Sequence, residues 1–212
     1  MNSKKIIPPG NLTPQFQGIR TFSAYTIYKG KAALQIKPIP PTFTVKGTAR
    51  SVSRYGGILL QFAPIAGVRK YDWSKRSTFL LDVSECGGIL ALDILTTRGL
   101  EMLHDPNMGS NQAGQITKKL RITPTQNHDG LFISLQINNK NASPISISIP
   151  ISLGEIAVIK NIIEFSIPRF LAFDCVWAGD ANNEMNEGEY STLSSSSVES
   201  ESEPDTFYSD GM

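Results

Sequence analysis

The chain has 212 residues, 40% hydrophobic and 18% charged, with a formal net charge of +1. That suffices for one sizeable core plus tails, and the longest apolar run falls far short of the roughly 20 residues a membrane-spanning helix needs, so no membrane span is expected. The near-neutral sum hides a sorted charge pattern: eleven Lys or Arg and no acid from Met1 to Tyr71, nine of each sign from Asp72 to Phe173, and ten acids without a base from Asp174 to Met212.

A basic front end with interleaved aromatics attracts polyanions, and an acidic tail on the same chain can compete for that surface. Cys86 and Cys175 lie far apart, form no CxxC and have no His at metal-ligand spacing. They are read as two reduced thiols in an intracellular compartment, and neither a metal nor another cofactor is expected.

Residues 1–23 read as a basic leader: they carry Lys4, Lys5 and Arg20 and no acid. Low acidity suits an organelle transit peptide, and Arg20-Thr21-Phe22-Ser23 is similar to a mitochondrial presequence cleavage site. Pro8-Pro9-Gly10 argues against an amphipathic helix there. Tyr25–Lys37 predicts one strand whose alternation slips near Gly30, read as a bulge or a close backbone approach. Thr42–Ser53 alternates and predicts a second strand. Gly56-Gly57 leads into a third over Ile58–Ala63, Pro64–Val68 reads as a loop, and Thr78–Val83 is a fourth.

Ser84 with Glu85 behind it marks a short helix start. Strands then follow over Leu100–His104, Ile116–Thr123, Leu131–Asn138 and Ile145–Ile149, with Asp129-Gly130 as a hairpin turn signal. Eight short strands at regular spacing predict antiparallel sheets packed as a sandwich or open barrel. The period changes at Ser152-Leu153-Gly154-Glu155, a capping box, followed by Ile156, Ile159, Ile163 and Ile167, with Val158 and Ile162 widening the stripe. This predicts a helix ended or kinked at Pro168, wide enough on its apolar side to meet another subunit as well as the core. Beyond Cys175 the composition is Ser, Glu, Asp and Asn, so residues 176–212 read as a disordered acidic tail.

Lys29-Gly30-Lys31-Ala32-Ala33-Leu34 resembles the KGKAAL motif of the plant Whirly proteins. Gln61–Trp73 is similar to the long family signature joining the third and fourth strands, Leu103-His104-Asp105-Pro106 to its FHDP, and Gly154–Val158 to its KAEFAV. The resemblance spans roughly Tyr25 to Phe173, in order and at family spacing. It implies an α+β fold of two antiparallel four-stranded sheets packed against each other, with a short helix and a C-terminal helical element that assembles a homotetramer, itself open to higher assembly. It implies a single-stranded-DNA-binding domain over 24–175, active in a plastid or mitochondrion in genome stability, DNA repair and transcription regulation, with nuclear and defence roles in some members. It also ties the motif's lysines to binding and to further assembly.

The residues support this chemically. Lysines in a groove neutralise phosphates, and aromatic rings stack on unstacked bases. The expected DNA contacts are Tyr28, Lys29, Lys31, Arg69, Lys70, Tyr71 and Trp73. Tyr28 and Trp73 also suit core packing, and each lone lysine suits a solvated surface. Leu103 stands where the family has Phe, which removes a stacking ring. Lys46-Gly47 replaces a usually acidic loop, and Phe170–Phe173 departs from the family's helix ending. An RNA-binding module in organellar RNA processing is the alternative, since stacking platforms accept RNA too. Catalysis is not expected: there is no GxGxxG, P-loop, GxSxG or Cys/His cluster, and adjacent strand residues such as His104 and Asp105 point to opposite faces.

Overall fold

The structure is a computed structural model that describes residues 23–93 and 99–177. The expected leader, its cleavage site and nearly all of the acidic tail lie outside the described residues. The first sheet takes β1 (Tyr25–Tyr28), β2 (Ala32–Ile39), β5 (Gly57–Gly67) and β7 (Ser77–Leu81) in that spatial order, all antiparallel. A two-residue strand, β6 (Lys70–Tyr71), joins at the end of β5. β3 (Thr42–Lys46) and β4 (Ala49–Arg54) form a separate two-stranded ribbon. The second sheet orders β11 (Ala142–Ser152), β10 (Gly130–Asn139), β9 (Ile116–Pro124) and β8 (Leu100–His104).

Register explains which residues turn inward. Across the first sheet Tyr25, Ile36, Leu60 and Phe79 align in one row, and Ile27, Leu34, Phe62 and Ser77 in another. Across the second, Leu100, Ile122, Ile133 and Ile149 align. Because side chains alternate with period two, the rows between them face the other way: Thr26, Gln35, Gln61 and Thr78 form one such row on the first sheet.

α1 (Val83–Ala91) and α2 (Leu153–Phe170) complete the core. Cys86 and Ile89 from α1, and Ile156, Ile159, Ile163 and Phe170 from α2, join one hydrophobic cluster with residues of both sheets. Phe62, Leu34, Leu120 and Ile163 are fully buried, each contributing about 1.5–3 kcal/mol. Lys160 of α2 donates to the carbonyls of Leu90 and Leu92 at 2.9 and 2.7 Å. It thereby satisfies the end of α1, which has no basic residue in its last turn. Residues 173–177 form a short helix of their own, α3.

The Ser152–Glu155 capping box, the inward isoleucines of α2 and the strands of the second sheet stand as the sequence predicts. Several local expectations do not. The strand expected over Tyr25–Lys37 is a hairpin, and the slip in alternation is a chain reversal at Lys29–Lys31. A Cβ on Gly30 would meet nothing within 4 Å, so there is no close backbone approach there. Thr42–Ser53 is likewise two strands, reversing at Gly47, whose φ is +61.

The close approach falls instead at Gly56, where a Cβ would lie 2.5 Å from the Ile39 carbonyl oxygen and 2.6 Å from the Phe170 ring. Pro64–Gly67 continues β5 rather than looping, because its outer edge pairs with β6. Asp82, not Ser84, caps α1, in its own capping box with Glu85. The β9–β10 turn runs over Thr125–Asp129, its backbone held by the Thr125 hydroxyl, so Gly130 already belongs to the strand. Pro168 does not stop α2, which persists to Phe170.

Candidate nucleic-acid interface

The candidate interface is built from two neighbouring turns on the first sheet. In the β1–β2 turn the Lys29 amide donates to the Ala32 carbonyl at 3.0 Å, and the Ile65 amide donates to the Lys31 carbonyl at 3.2 Å. The Tyr71 hydroxyl donates to the Lys29 carbonyl at 2.8 Å. A residue of β6 thus pins the backbone of the KGK turn. The same ring lies 5.3 Å from that of Tyr28, tilted by 39°, within the range of favourable aromatic pairs. Tyr28 is 60% exposed, which sets core packing aside.

The second turn joins β5 to β6. Arg69 adopts a left-handed φ of 56, a strain of about 1 kcal/mol for a non-glycine residue, and Val68 beside it is 90% exposed. Beyond β6, the Asp72 amide bonds to the Pro64 carbonyl at 2.9 Å. The Asp72 carboxylate accepts from the Ser74 and Lys75 amides at 3.0 and 3.3 Å and from the Ser74 hydroxyl, caging a 3-10 turn that carries Trp73. The Ser74 hydroxyl, with those amides and Lys75, holds the Asp72 carboxyl below its ordinary range. Arg76 donates to the Trp73 carbonyl at 2.9 Å. Trp73 therefore sits on a braced turn, partly buried and outside the core cluster.

Tyr28, Trp73, Gln35, Gln61 and Arg76 together line an open cleft of about 360 Å³. Sequence reasoning missed Gln35, Gln61 and Arg76. The two glutamines sit at outward strand positions, yet only the β2–β5 register sets them side by side.

Charge is distributed unevenly around this cleft. Lys29 is paired: its ammonium lies 2.8 Å from the Glu155 carboxylate, at the N-terminus of α2. Partial burial pulls the Glu155 carboxyl upward, but the hydrogen bonds from Lys29 and Ser152 prevail and leave it below the usual range. Lys31, Arg69 and Lys70 are exposed, and none of them has a carboxylate partner among the described residues. The structure therefore brings Tyr28, Tyr71 and Trp73 together, places Arg69 on the adjoining turn with Lys70 opening β6, and sets Lys31 at the end of the KGK turn.

The His104-Asp105 pair serves elsewhere. His104 bonds to Glu85 at 2.7 Å and stacks on Phe79 at 4.0 Å. Asp105 accepts from the Asn107 and Gly114 amides at 2.8 and 2.6 Å. Both cysteines are free; burial pushes the Cys86 thiol up to about 12, which makes it inert as a nucleophile. No helix of the described residues is long and apolar enough to cross a membrane.

Comparison with known proteins identifies the family. The sequence profile of the Whirly transcription factor family matches residues 27–162. The single-stranded DNA-binding protein WHY1, chloroplastic, of Solanum tuberosum is 39% identical over 168 residues, 78% of this chain and 59% of that protein. WHY2, mitochondrial, of Arabidopsis thaliana is 36% identical, covering 78% of this chain and 69% of that one. The chain thus spans about three fifths of the potato relative's length. The crystal structure of WHY3 from Arabidopsis thaliana superposes with a TM-score of 0.71 at 36% identity, over 74% of this chain and 93% of that one. The plant transcriptional regulator PBF-2 superposes with a TM-score of 0.72 at 35% identity, over 85% of this chain and 99% of that one. The protein belongs to the Whirly family.

Proposed function

We propose that this protein binds single-stranded DNA with little regard to sequence, in a plastid or mitochondrion, in support of genome stability, repair and transcription. The observation that carries the reading is the braced aromatic cleft of Tyr28 and Trp73, supported by Tyr71, beside three exposed cations without carboxylate partners, Lys31, Arg69 and Lys70. Aromatic rings stack on base faces that a duplex conceals and a single strand presents, worth about 1–3 kcal/mol per base. The cations neutralise phosphates, which carry no sequence information. Gln35 and Gln61 present both donors and acceptors, so they accept several base edges rather than select one. The names of the relatives, chloroplastic WHY1 and mitochondrial WHY2, support the compartment and the ligand.

The protein acts by binding rather than catalysis: His104 and Asp105 are committed to separate partners that brace α1 and the following loop. Assembly as a homotetramer is part of the reading, with the outer face of α2 as the contact. Val158 and Phe165 are exposed there at 41% and 63%, with Arg169 over the Phe165 ring. The folded binding domain corresponds to residues 24–175, flanked by the basic leader and the acidic tail.

Fluorescence anisotropy of the full chain with a mixed-sequence single strand, the matching blunt duplex and the matching RNA tests the ligand. The expected result is tightest binding to single-stranded DNA, weakening steeply with salt. Equal affinity for the duplex contradicts the reading, and preference for RNA replaces it with an RNA-processing role. Light scattering on the same sample tests the tetramer; a monomer mass refutes it.

A further inference from the structure

The chain segments of β2 and β5 do not part where the first sheet ends. Beyond their last paired residues, Ile39 and Gly57, they pair again as β3 and β4. Two features break the ladder in between. Pro40 and Pro41 have no amide hydrogen to donate, and the Gly56 amide donates to the Phe170 carbonyl at 3.0 Å rather than across the strands. The ribbon therefore leaves the sheet at a joint that α2 anchors. No other described strand pairs with either of its edges.

Its charge is of one sign. Lys46 sits at the tip, Arg50 within β4 and Arg54 at the foot, opposite Thr42. All three are exposed, and none has a carboxylate partner among the described residues. The Arg50 guanidinium lies 4.5 Å from the centre of the Phe43 ring. Hydroxyls fill the space between the cations: Thr42 pairs with Ser53 at 2.9 Å and Thr44 with Ser51 at 3.1 Å. In each pair one O–H donates to the other oxygen, which leaves one donor free. The ribbon thus offers cations and hydroxyl donors, the groups that hold phosphates, and its one aromatic ring already carries a guanidinium.

We infer that this ribbon grips duplex DNA flanking the bound single strand, so that the protein favours a junction of the two over a bare strand. The proposal rests on the single-strand-binding reading above and adds a second class of ligand to it. A single strand is held by stacking as well as by charge, and the ribbon supplies the charge alone. A DNA duplex presents phosphates densely, about one per 1.7 Å of axis, and its major groove, about 12 Å wide, admits a two-stranded ribbon. A second copy of the ribbon would set like charges against each other. Position fits too. Gln35 and Gln61 of the cleft are paired residues of β2 and β5, four residues before Ile39, about 13 Å along the strand. A nucleic-acid strand that leaves the cleft along β2 reaches the ribbon where its complement can begin. An RNA duplex does not fit, because its major groove is deep and narrow.

The test uses the full chain and fluorescence anisotropy with three probes: a labelled oligothymidylate, the same strand as an overhang on a DNA hairpin stem, and the same overhang on an RNA stem. The DNA stem is expected to tighten binding about tenfold over the bare strand, as a tethered second contact does, and the RNA stem to add little. Lys46→Gln, Arg50→Gln and Arg54→Gln together should abolish that gain, with affinity for the bare strand and the melting temperature as in wild type. Arg50→Lys with Arg54→Lys keeps the charges and should retain the gain, which separates lost charge from a distorted ribbon. The proposal is overturned by no gain from the DNA stem, by a gain that survives in the glutamine variant, by its equal loss in the lysine variant, or by an equal gain from the RNA stem. A glutamine variant with weakened binding to the bare strand overturns it as well, assigning the ribbon to the single-strand site. Failure of the wild-type chain to bind the bare strand is failure of the broader reading, whereas binding without the gain fails this inference alone.

Discussion

The two sheets carry their outward cations in opposite ways. On the second sheet, Lys119 and Arg121 share the carboxylate of Glu101 at 2.8 and 2.6 Å, and those hydrogen bonds hold the Glu101 carboxyl below its usual range. On the first sheet and its turns, Lys31, Arg69 and Lys70 stand exposed beside aromatic rings with no acidic partner among the described residues. Paired charges present little net field to a polyanion, whereas unpaired ones keep theirs. Lys29 lies between the two cases: it sits in the basic half of the sequence, yet α2 supplies it with Glu155. Counting charges along the chain therefore overstates the unpaired positive charge, and the three-dimensional pairing decides which lysines stand without an acidic partner.

The largest expected effect removes the unopposed set. Replacing Lys31, Arg69 and Lys70 together by Ala should lower single-strand affinity on the order of 100-fold near 0.1 M salt, because each phosphate contact contributes about 0.7 to the salt slope. Next comes Trp73→Ala, expected to cost about 1–3 kcal/mol of binding while leaving the slope unchanged, since stacking releases no counterions. That split between affinity and slope separates the rings from the charges.

Glu155→Gln sharpens the intermediate case. Freeing Lys29 should raise the salt slope by about 0.7 while destabilising the fold by about 0.5–1 kcal/mol at neutral pH. The Glu155 carboxyl is held below its ordinary value of 4.5. Its stabilising contribution is therefore complete above that pH and disappears as pH falls through the lower folded value. Chemical denaturation across that window should show the gap between wild type and Glu155→Gln closing under acid; a gap independent of pH contradicts the ion pair. The smallest effect is expected at the paired cations of the second sheet. Lys119→Ala or Arg121→Ala should change binding and stability by no more than about 0.5 kcal/mol.

Much of this architecture is legible in the sequence where the signal is local. The Ser152–Glu155 capping box and the Ile156, Ile159 and Ile163 spacing define α2 because both ends of each interaction lie within a turn or two. The β1–β2 and β3–β4 hairpins were hidden because period-two alternation carries no direction. A slip in parity reads equally as a bulge or a reversal until a partner strand is placed. Trp73 is ambiguous in sequence for a related reason: only the Asp72 cage and the Pro64 contact show that its turn lies outside the core cluster. Gln35 and Gln61 are outward residues whose neighbours come from other strands, so register, a non-local quantity, decides their role. The pairing of Lys29 with Glu155 was unreadable for the same reason: each belongs to its own motif, and nothing in either motif points to the other.

The central claim is that single-strand affinity resides in the unopposed cations and rings of the first sheet. It is tested most directly by measuring the slope of log affinity against log salt for a single strand in wild type and in the Lys31, Arg69 and Lys70 triple alanine variant. The account predicts a steep wild-type slope that falls by about 2 in the variant, with the melting temperature preserved. An unchanged slope in a folded variant would contradict it, because the phosphates would then be held elsewhere on the molecule.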